Sequence, residues 1–546
     1  MQAGQPHGDD RESAAVARNS LAVASWTAVS RVSGFVRIAV IAAVLGPTYL
    51  GNIFQAMSTL PMLMYAALTG SLFSSLLVPS LVKHVDAGDV AATRRLAGAF
   101  LTTALAAFGV AATLIVLAGP WVLRLLTAGV ADPAAAESQR RIGLVLLIMF
   151  IPQLLLYGVV GTAEAVMNAH GRFALASAAP VLENLGIIAT MIATAIIFGT
   201  GDALASPSPG ALLLLGLGTT AAVALHAGTQ WWGAWRVGVP LLPGRGWREP
   251  EMRSIVRRAV PSLGYSTLDV LLPFGATVVA NRTPGGVLAF QFAFLCCTLP
   301  TALGARPVAV SLLPRLSRLF HAGDLQRFRD ELVRGASLVA FLAVPAALAL
   351  VVLAEPIAGA VTFGRMATAQ GQGLIAVALA SLGPAVVGYA AMLLGTYACY
   401  ARDDAHTPLR AVLIRTGVVI AGLSLAFGVP AGAAALIALG LTVSAGNLAG
   451  GFWLAARLRR VLPPSGAGML RPFLRTAAAA ALMVVPAYLV ARYLPYLLST
   501  RWSPQIVMLA TAATATSVFL VVQRLWGSPE LAQLRDGLRD GGRSVP

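Results

Sequence analysis

Long runs of apolar residues recur from one end of the chain to the other, separated by short polar stretches. Fourteen can be marked, at about 20–46, 52–82, 97–123, 142–166, 173–199, 210–235, 256–281, 286–314, 333–354, 371–399, 409–428, 433–456, 472–495 and 503–524. A helix needs about 20 mostly apolar residues to cross the hydrocarbon core of a bilayer. The runs are continuous rather than alternating at every second position, which predicts helices and not the strands of a membrane β-barrel. The expected fold class is therefore all-α, a polytopic membrane protein with about fourteen transmembrane helices. An even number puts both termini on the same side of the membrane.

Composition agrees with this pattern. Of the 546 residues, 57% are hydrophobic and 11% charged, against about 25% charged in soluble domains. Cys296, Cys297 and Cys399 all fall in apolar runs with no ligand-like spacing. They read as small hydrophobic residues, and neither a metal nor a cofactor is expected. The N-terminal stretch MQAGQPHGDDRESAAVARNS is polar, and the run behind it is too long for a signal-peptide core. That run is expected to be a retained first helix.

A net charge of +17 raises the question of nucleic acid, but the placement of the basic residues answers it differently. With the N-terminus in the cytoplasm, about 28 of the 39 basic residues fall on the cytoplasmic side, as the positive-inside rule requires. About seven face the other way: Arg124, Arg140, Arg141, Arg282, Arg365, Arg492 and Arg501. One helix more or fewer would scramble this asymmetry. The excess charge thus reports orientation, and no nucleic-acid partner is expected.

The chain repeats itself. SSLLVPSLVKHVDAGDVAATRRL, ending at Leu96, matches AVSLLPRLSRLFHAGDLQRFRDEL, ending at Leu332. Pro79 pairs with Pro314, Ala87-Gly88-Asp89 with Ala322-Gly323-Asp324, and Arg94 with Arg329, at one offset of 235 residues. LAGP at 117–120 likewise echoes LAEP at 353–356. The offset spans six apolar runs. Six is even, so the two repeats are parallel, related by an axis along the membrane normal, an arrangement found in many transporters. The expected organisation is a cytoplasmic tail (1–19), an N-lobe (20–240), a C-lobe (241–460), two further helices (461–525) and a cytoplasmic C-terminal tail (526–546).

Charges inside the apolar runs are the candidate chemistry. An arginine at a helix centre costs about 2.5–3.5 kcal/mol on insertion scales. Arg31 and Arg37 lie in the first run, within SRVSGFVR, and Arg306 in the eighth, beside a helix-loosening Pro307. Six residues turn a helix by about 600°, so Arg31 and Arg37 stand roughly 120° apart yet can flank one cavity. Arg415, near a helix end, can snorkel. Guanidinium groups in a water-filled chamber suit a phosphate-bearing partner, whose oxygens the planar fork binds in pairs. Glu164, Glu183 and Asp269 are buried acids. Each is expected to be neutral, paired with an arginine or part of an ion-coupling site, with Asp269 and then Glu183 preferred for coupling. His226 reads as a hydrogen-bonded structural histidine. GxSxG, Walker A and HExxH patterns are absent, so neither an enzyme nor an ATP-driven pump is expected.

SRVSGFVR resembles the MurJ/MviN family, the lipid II flippases of the MOP transporter superfamily. The resemblance continues through STLPMLMYAALTGSLFSSLLVPSL (58–81), VMNAHGRFALASAAPVLENLGII (166–188), SLLPRLSRL (311–319) and YARDDAHTP (400–408). It implies a two-lobed transporter in the bacterial inner membrane, with a cationic cavity and lipid II as substrate. Lipid II is the undecaprenyl-pyrophosphate-linked peptidoglycan precursor. It also implies that the last two helices form a groove for the lipid tail, and that Arg31 and Arg37 are the family's first-helix arginines. Membrane lipids and cell-wall synthesis proteins are the other expected partners. The chain departs from the family pattern at Asn52, where an aspartate is common, at Tyr65-Ala66, where many members carry an arginine pair, and at Leu295, which aligns with a common arginine. Arg306 stands where the family is usually apolar, and the eleventh run lacks the acidic sodium-site residues of some members. The expected substrate-binding set is thus Arg31, Arg37, Arg306 and Asn52, and the ion-coupling candidates are Asp269, Glu183 and Glu164.

Four other readings compete. A flippase for a different polyprenyl-linked glycan shares the chemistry. A MATE-like drug exporter would need only twelve helices. A non-transporting cell-wall scaffold would not need arginines inside the membrane, and a lipid-linked glycosyltransferase would want acidic residues in a long aqueous loop.

Overall fold

The computed structural model describes residues 7–69, 77–245, 252–253, 257, 272–464, 470–498, 502–533 and 535. Side-chain surroundings are described from residue 25 onward. Every regular element among them is helical. Among the described residues, eleven helices are long and apolar enough to span a membrane, or twelve if a bent pair counts as one crossing. These twelve correspond to twelve of the fourteen apolar runs. The second run is represented by helix Tyr49–Thr69 and, beyond undescribed residues 70–76, by Val78–Asp86. Of the seventh run, 256–281, a helical stretch at 272–280 is described, with most of the remainder outside the described residues.

The chain divides into two compact units, Met1–Asn281 and Arg282–Pro546. In the first, α1 (His7–Leu45), α2 (Tyr49–Thr69), α3 (Val78–Asp86), α4 (Val90–Leu126), α5 (Pro133–Ala169), α6 (Phe173–Phe198) and α7 (Pro209–Arg236) follow in order. α5 is the hub: it packs against α2, α4 and α7, while α6 lies between α1 and α7. Phe100, Phe108, Leu154 and Val166 are among the buried residues of its core.

The second unit holds α8 (Gly286–Pro300), α9 (Arg306–His321), α10 (Leu325–Val352), α11 (Ala354–Val361), α12 (Ala369–Leu382), α13 (Ala385–Tyr400), α14 (His406–Ala426), α15 (Ala433–Val461), α16 (Arg471–Leu497) and α17 (Ser503–Leu525). α15 packs against α12, α13 and α14, and α16 pairs with α17 and leans on α10. Phe341 and Phe519 meet at the α10–α17 contact, with ring centroids 5.0 Å apart. α12 and α13 form the bent pair, at 42°. The break falls at Gly383-Pro384, where proline has no N–H for the helical ladder and its ring crowds the preceding turn.

The sequence repeat is visible as one turn built twice. After α3, Gly88 takes a left-handed φ of +69°, and after α9, Gly323 takes +73°, the conformation that favours glycine at a helix end. Ala87, Gly88 and Asp89 donate their N–H groups to the carbonyls of Lys83, Val85 and His84. Ala322, Gly323 and Asp324 donate to Arg318, Phe320 and Leu319, the same three positions shifted by 235. The next helix is then capped by aspartate: Asp89 accepts from the Ala92 N–H at 2.8 Å, and Asp324 from the Arg327 N–H at 3.0 Å. The paired arginines also do equivalent work. Arg94 donates to the Gly238 carbonyl just past α7, and Arg329 to the Pro464 carbonyl just past α15. The other echo diverges: LAGP lies inside the unbroken α4, whereas LAEP sits at the break between α10 and α11.

Candidate functional site

Five helices of the first unit place polar residues on one cleft. From α1 comes Arg37, from α2 Gln55, Ser58 and Thr59, from α5 Gln153 and Tyr157, from α6 Glu183, and from α7 Thr219. The cleft is about 430 Å³ including its open mouth. Glu183 is the centre. Its Oε2 meets Nδ1 of His226 at 2.7 Å, its Oε1 accepts from the Tyr157 hydroxyl at 3.0 Å, and Arg37 Nη1 stands 3.8 Å from Oε1. Tyr157 is held in place by stacking on Tyr65, with centroids 5.1 Å apart, and Tyr65 stacks in turn on Phe108.

The geometry explains how an arginine is tolerated at this depth. Removing a guanidinium from water without a counter-charge is costly, and Glu183 supplies the charge. The ion pair is loose, however. Arg37 keeps 21% of its side-chain surface accessible, and its buried Nε has no hydrogen-bond partner among the described residues. Its donors are therefore only partly used, and an anion entering the cleft has somewhere to bind. The α1–α6 contact that sets the position of Arg37 is fixed one turn earlier. There the Asn184 amide donates to Ser33 Oγ at 2.8 Å and to the Ser30 carbonyl at 3.4 Å.

The residues expected from the sequence divide by place. Arg37 and Glu183 come together. Arg31 lies on the same helix and is exposed. Asn52 is fully buried on α2 and does not line the cleft, whereas Gln55, one turn on, does. Glu164 on α5 is half-buried and within electrostatic reach of His226. Arg306 belongs to the second unit. It is exposed at the start of α9, directly after a π-helical turn at Thr301–Ala305, so the loosening expected from Pro307 occurs just upstream. The stem of Arg415 rests on Gly446 and Gly450 of α15. Asp269 lies outside the described residues.

His226 is hydrogen-bonded, as expected, and its partner is Glu183; Tyr157 is a site residue that no sequence pattern marks. Gln153 is another. It is 2% exposed and donates to Thr220 Oγ1 at 3.0 Å. A glutamine beside Pro152 in the mostly apolar stretch 142–161 is the one signal that could have found it.

A model of the family described as lipid II flippase MurJ matches residues 41–512. The chain belongs to the MurJ family. Among curated relatives, the lipid II flippase MurJ of Burkholderia cenocepacia is 27% identical over 440 residues, covering 76% of this chain and 81% of the relative. The probable lipid II flippase MurJ of Vibrio cholerae is 25% identical over 407 residues, covering 72% and 74%. Among solved structures, a lipid II flippase MurJ in an inward closed conformation superposes with a TM-score of 0.71 at 16% identity, covering 92% of this chain and 98% of the other. An inward-facing MATE transporter of the MOP superfamily gives 0.62 at 13% identity, covering 81% and 98%. The fold is thus that of the MurJ and MOP transporters, and the family is one of multi-pass membrane transporters, not enzymes.

The YARDDAHTP block, which resembles the MurJ family, forms the turn between α13 and α14. Asp404 accepts from the N–H groups of His406 and Thr407 and from the Thr407 hydroxyl, at 3.1, 3.0 and 2.6 Å. Partial burial alone would raise its carboxyl pKa. The Thr407 hydroxyl, the two N–H groups and the Arg402 guanidinium outweigh it and hold Asp404 below the usual carboxylate range. Its contribution to stability is therefore present above that range and lost as pH falls through the lowered value. Asp404→Ala is expected to destabilise the protein by about 1 kcal/mol at pH 7, the size of a lost helix cap. The difference from wild type should shrink below about pH 4. Thermal unfolding in detergent at pH 7 and pH 3.5 checks this, and an unchanged difference at both would refute the assignment.

Proposed function

We propose that this chain carries lipid II from the cytoplasmic to the outer leaflet of a bacterial inner membrane by alternating access. The family match over residues 41–512 is the observation that carries this reading. The accessible, half-satisfied Arg37 supplies chemistry that suits a pyrophosphate head group. In this reading Arg31 and Arg306 extend the cationic surface, residues 20–240 and 241–460 are the two moving lobes, and residues 461–525 receive the polyprenyl tail. Both termini are cytoplasmic.

The test is complementation. Expression of this chain in a bacterium depleted of its own lipid II flippase is expected to restore growth and arrival of lipid II at the outer leaflet. Correct insertion without rescue would sink the reading. Orientation is checked separately. Reporter fusions at residues 1 and 546 are both expected to report a cytoplasmic location, and a periplasmic signal from either would reverse the assignment.

A second reading, transport of another polyprenyl-pyrophosphate-linked glycan, is favoured by one observation. Tyr65, where many family members carry an arginine, is committed to aromatic stacking on Tyr157 and Phe108. Rescue of a different glycan flippase but not of the lipid II flippase would select it.

A further inference from the structure

The groups around Glu183 are arranged for more than holding Arg37. His226 is 5% exposed and its two ring nitrogens face different chemistry. Nδ1 faces the Glu183 carboxylate at 2.7 Å, which can only accept, so Nδ1 carries a proton. Nε2 faces the Gln230 amide nitrogen at 3.5 Å, which can only donate, so Nε2 carries none. With the Gln230 amide placed this way, Nδ1 is the donor and Nε2 is open to accept a proton. Gln230 is 1% exposed, donates to the Ala176 carbonyl at 3.1 Å, and has an Oε1 with no partner among the described residues. Turning its amide would offer that oxygen to an Nε2–H in exchange for the bond to the Ala176 carbonyl. Facing this centre are one cation, Arg37 of α1, the carboxyl groups of Glu183 on α6 and Glu164 on α5, the phenol of Tyr157 on α5 and the imidazole of His226 on α7.

We propose that Glu183 and His226 form a proton-binding site whose occupancy controls the hold of Glu183 on Arg37. When Nε2 takes a proton, the 2.7 Å contact becomes an ion pair, closer than the 3.8 Å approach of Arg37 to the other oxygen. Glu183 is then neutralised by His226, and Arg37 is released to the cleft. When the proton leaves, Glu183 takes Arg37 back. Proton binding and anion binding at Arg37 thus favour each other, and by linkage each strengthens the other by the same factor. The sign is fixed: Arg37 is free below the titration of the pair and held above it. That this exchange couples protons to lipid movement rests on the flippase reading. The site itself does not.

The test uses the full chain in lipid nanodiscs, with histidine and arginine side chains labelled with nitrogen-15 and no substrate present. The His226 signal, identified by its loss in His226→Gln, is expected to pass from the neutral to the doubly protonated form as pH is lowered across the range in which the protein stays folded. The Arg37 guanidinium signal, identified by its loss in Arg37→Lys, is expected to shift with the same midpoint and to lose that shift in Glu183→Gln. An imidazole that stays neutral over the range overturns the proposal in the wild-type protein alone, whatever the variants do. So does an Arg37 shift that survives in Glu183→Gln. Failure of complementation, with both titrations present, would instead count against lipid II as the substrate.

Discussion

Arg37→Ala is expected to abolish rescue of a flippase-depleted host while the protein still reaches the membrane at normal level. Two effects combine. The substitution removes the cation whose donors are only partly used, and it leaves Glu183, with 13% of its side chain accessible, facing the cleft without its arginine. The pair itself is loose, at 3.8 Å, so the larger loss is the contact to the anionic head group, at about 1.5–3 kcal/mol for each hydrogen bond to a charged group. With about 1.4 kcal/mol per factor of ten, that is a loss of roughly tenfold or more in any step that uses the contact. The negative carboxylate left behind would also repel a pyrophosphate, adding to the loss. Arg37→Lys should recover only a small part, because an ammonium is a point charge without the planar fork. The measurement is growth rescue beside an immunoblot of the membrane fraction. Full rescue by Arg37→Ala would remove Arg37 from the mechanism.

The helical fold was legible in the sequence because a bilayer leaves so few solutions: unbroken apolar runs have to be helices. The repeat was legible down to its turn, since Gly88 and Gly323 need a left-handed backbone and Asp89 and Asp324 cap the helices after them. The second run was harder, because α2 carries Asn52, Gln55, Ser58 and Thr59 among its apolar residues.

The site was legible only in part. Arg37 and Glu183 stood out because charge in an apolar run is expensive. Their pairing did not, because residues 146 positions apart on different helices leave no periodic trace. Tyr157 was hidden for another reason. A tyrosine in a membrane helix is ordinary, and only the packing of α5 against α6 shows that its hydroxyl reaches Glu183. Asn52 illustrates the converse. A polar residue in an apolar run draws attention, yet its side chain is fully enclosed, and the neighbour that faces the cleft is Gln55.

Gly388→Ala is expected to destabilise the second unit severely and to lower the yield of folded protein sharply. α13 and α15 cross so closely at this point that a Cβ on residue 388 would lie 2.4 Å from the Asn447 carbonyl carbon and from the Leu448 nitrogen. Those are backbone atoms of a neighbouring helix, so no side-chain rotation can relieve the clash. Helices in membranes associate through packing rather than through hydrophobic exclusion from water, which makes separating two of them directly destabilising. α15 also packs against α12 and α14, so a shift there disturbs several contacts of the second unit. Overpacking of this kind costs about 1–3 kcal/mol, and occasionally more. Gly417→Ala provides the control. That glycine lies in α14 with nothing within 4 Å of an added Cβ, and replacing an open helical glycine by alanine gains roughly 0.5–1 kcal/mol. The two variants differ only in place, so thermal unfolding in one detergent should move them in opposite directions. Equal stability would mean that the α13–α15 crossing is not as close as the structure has it.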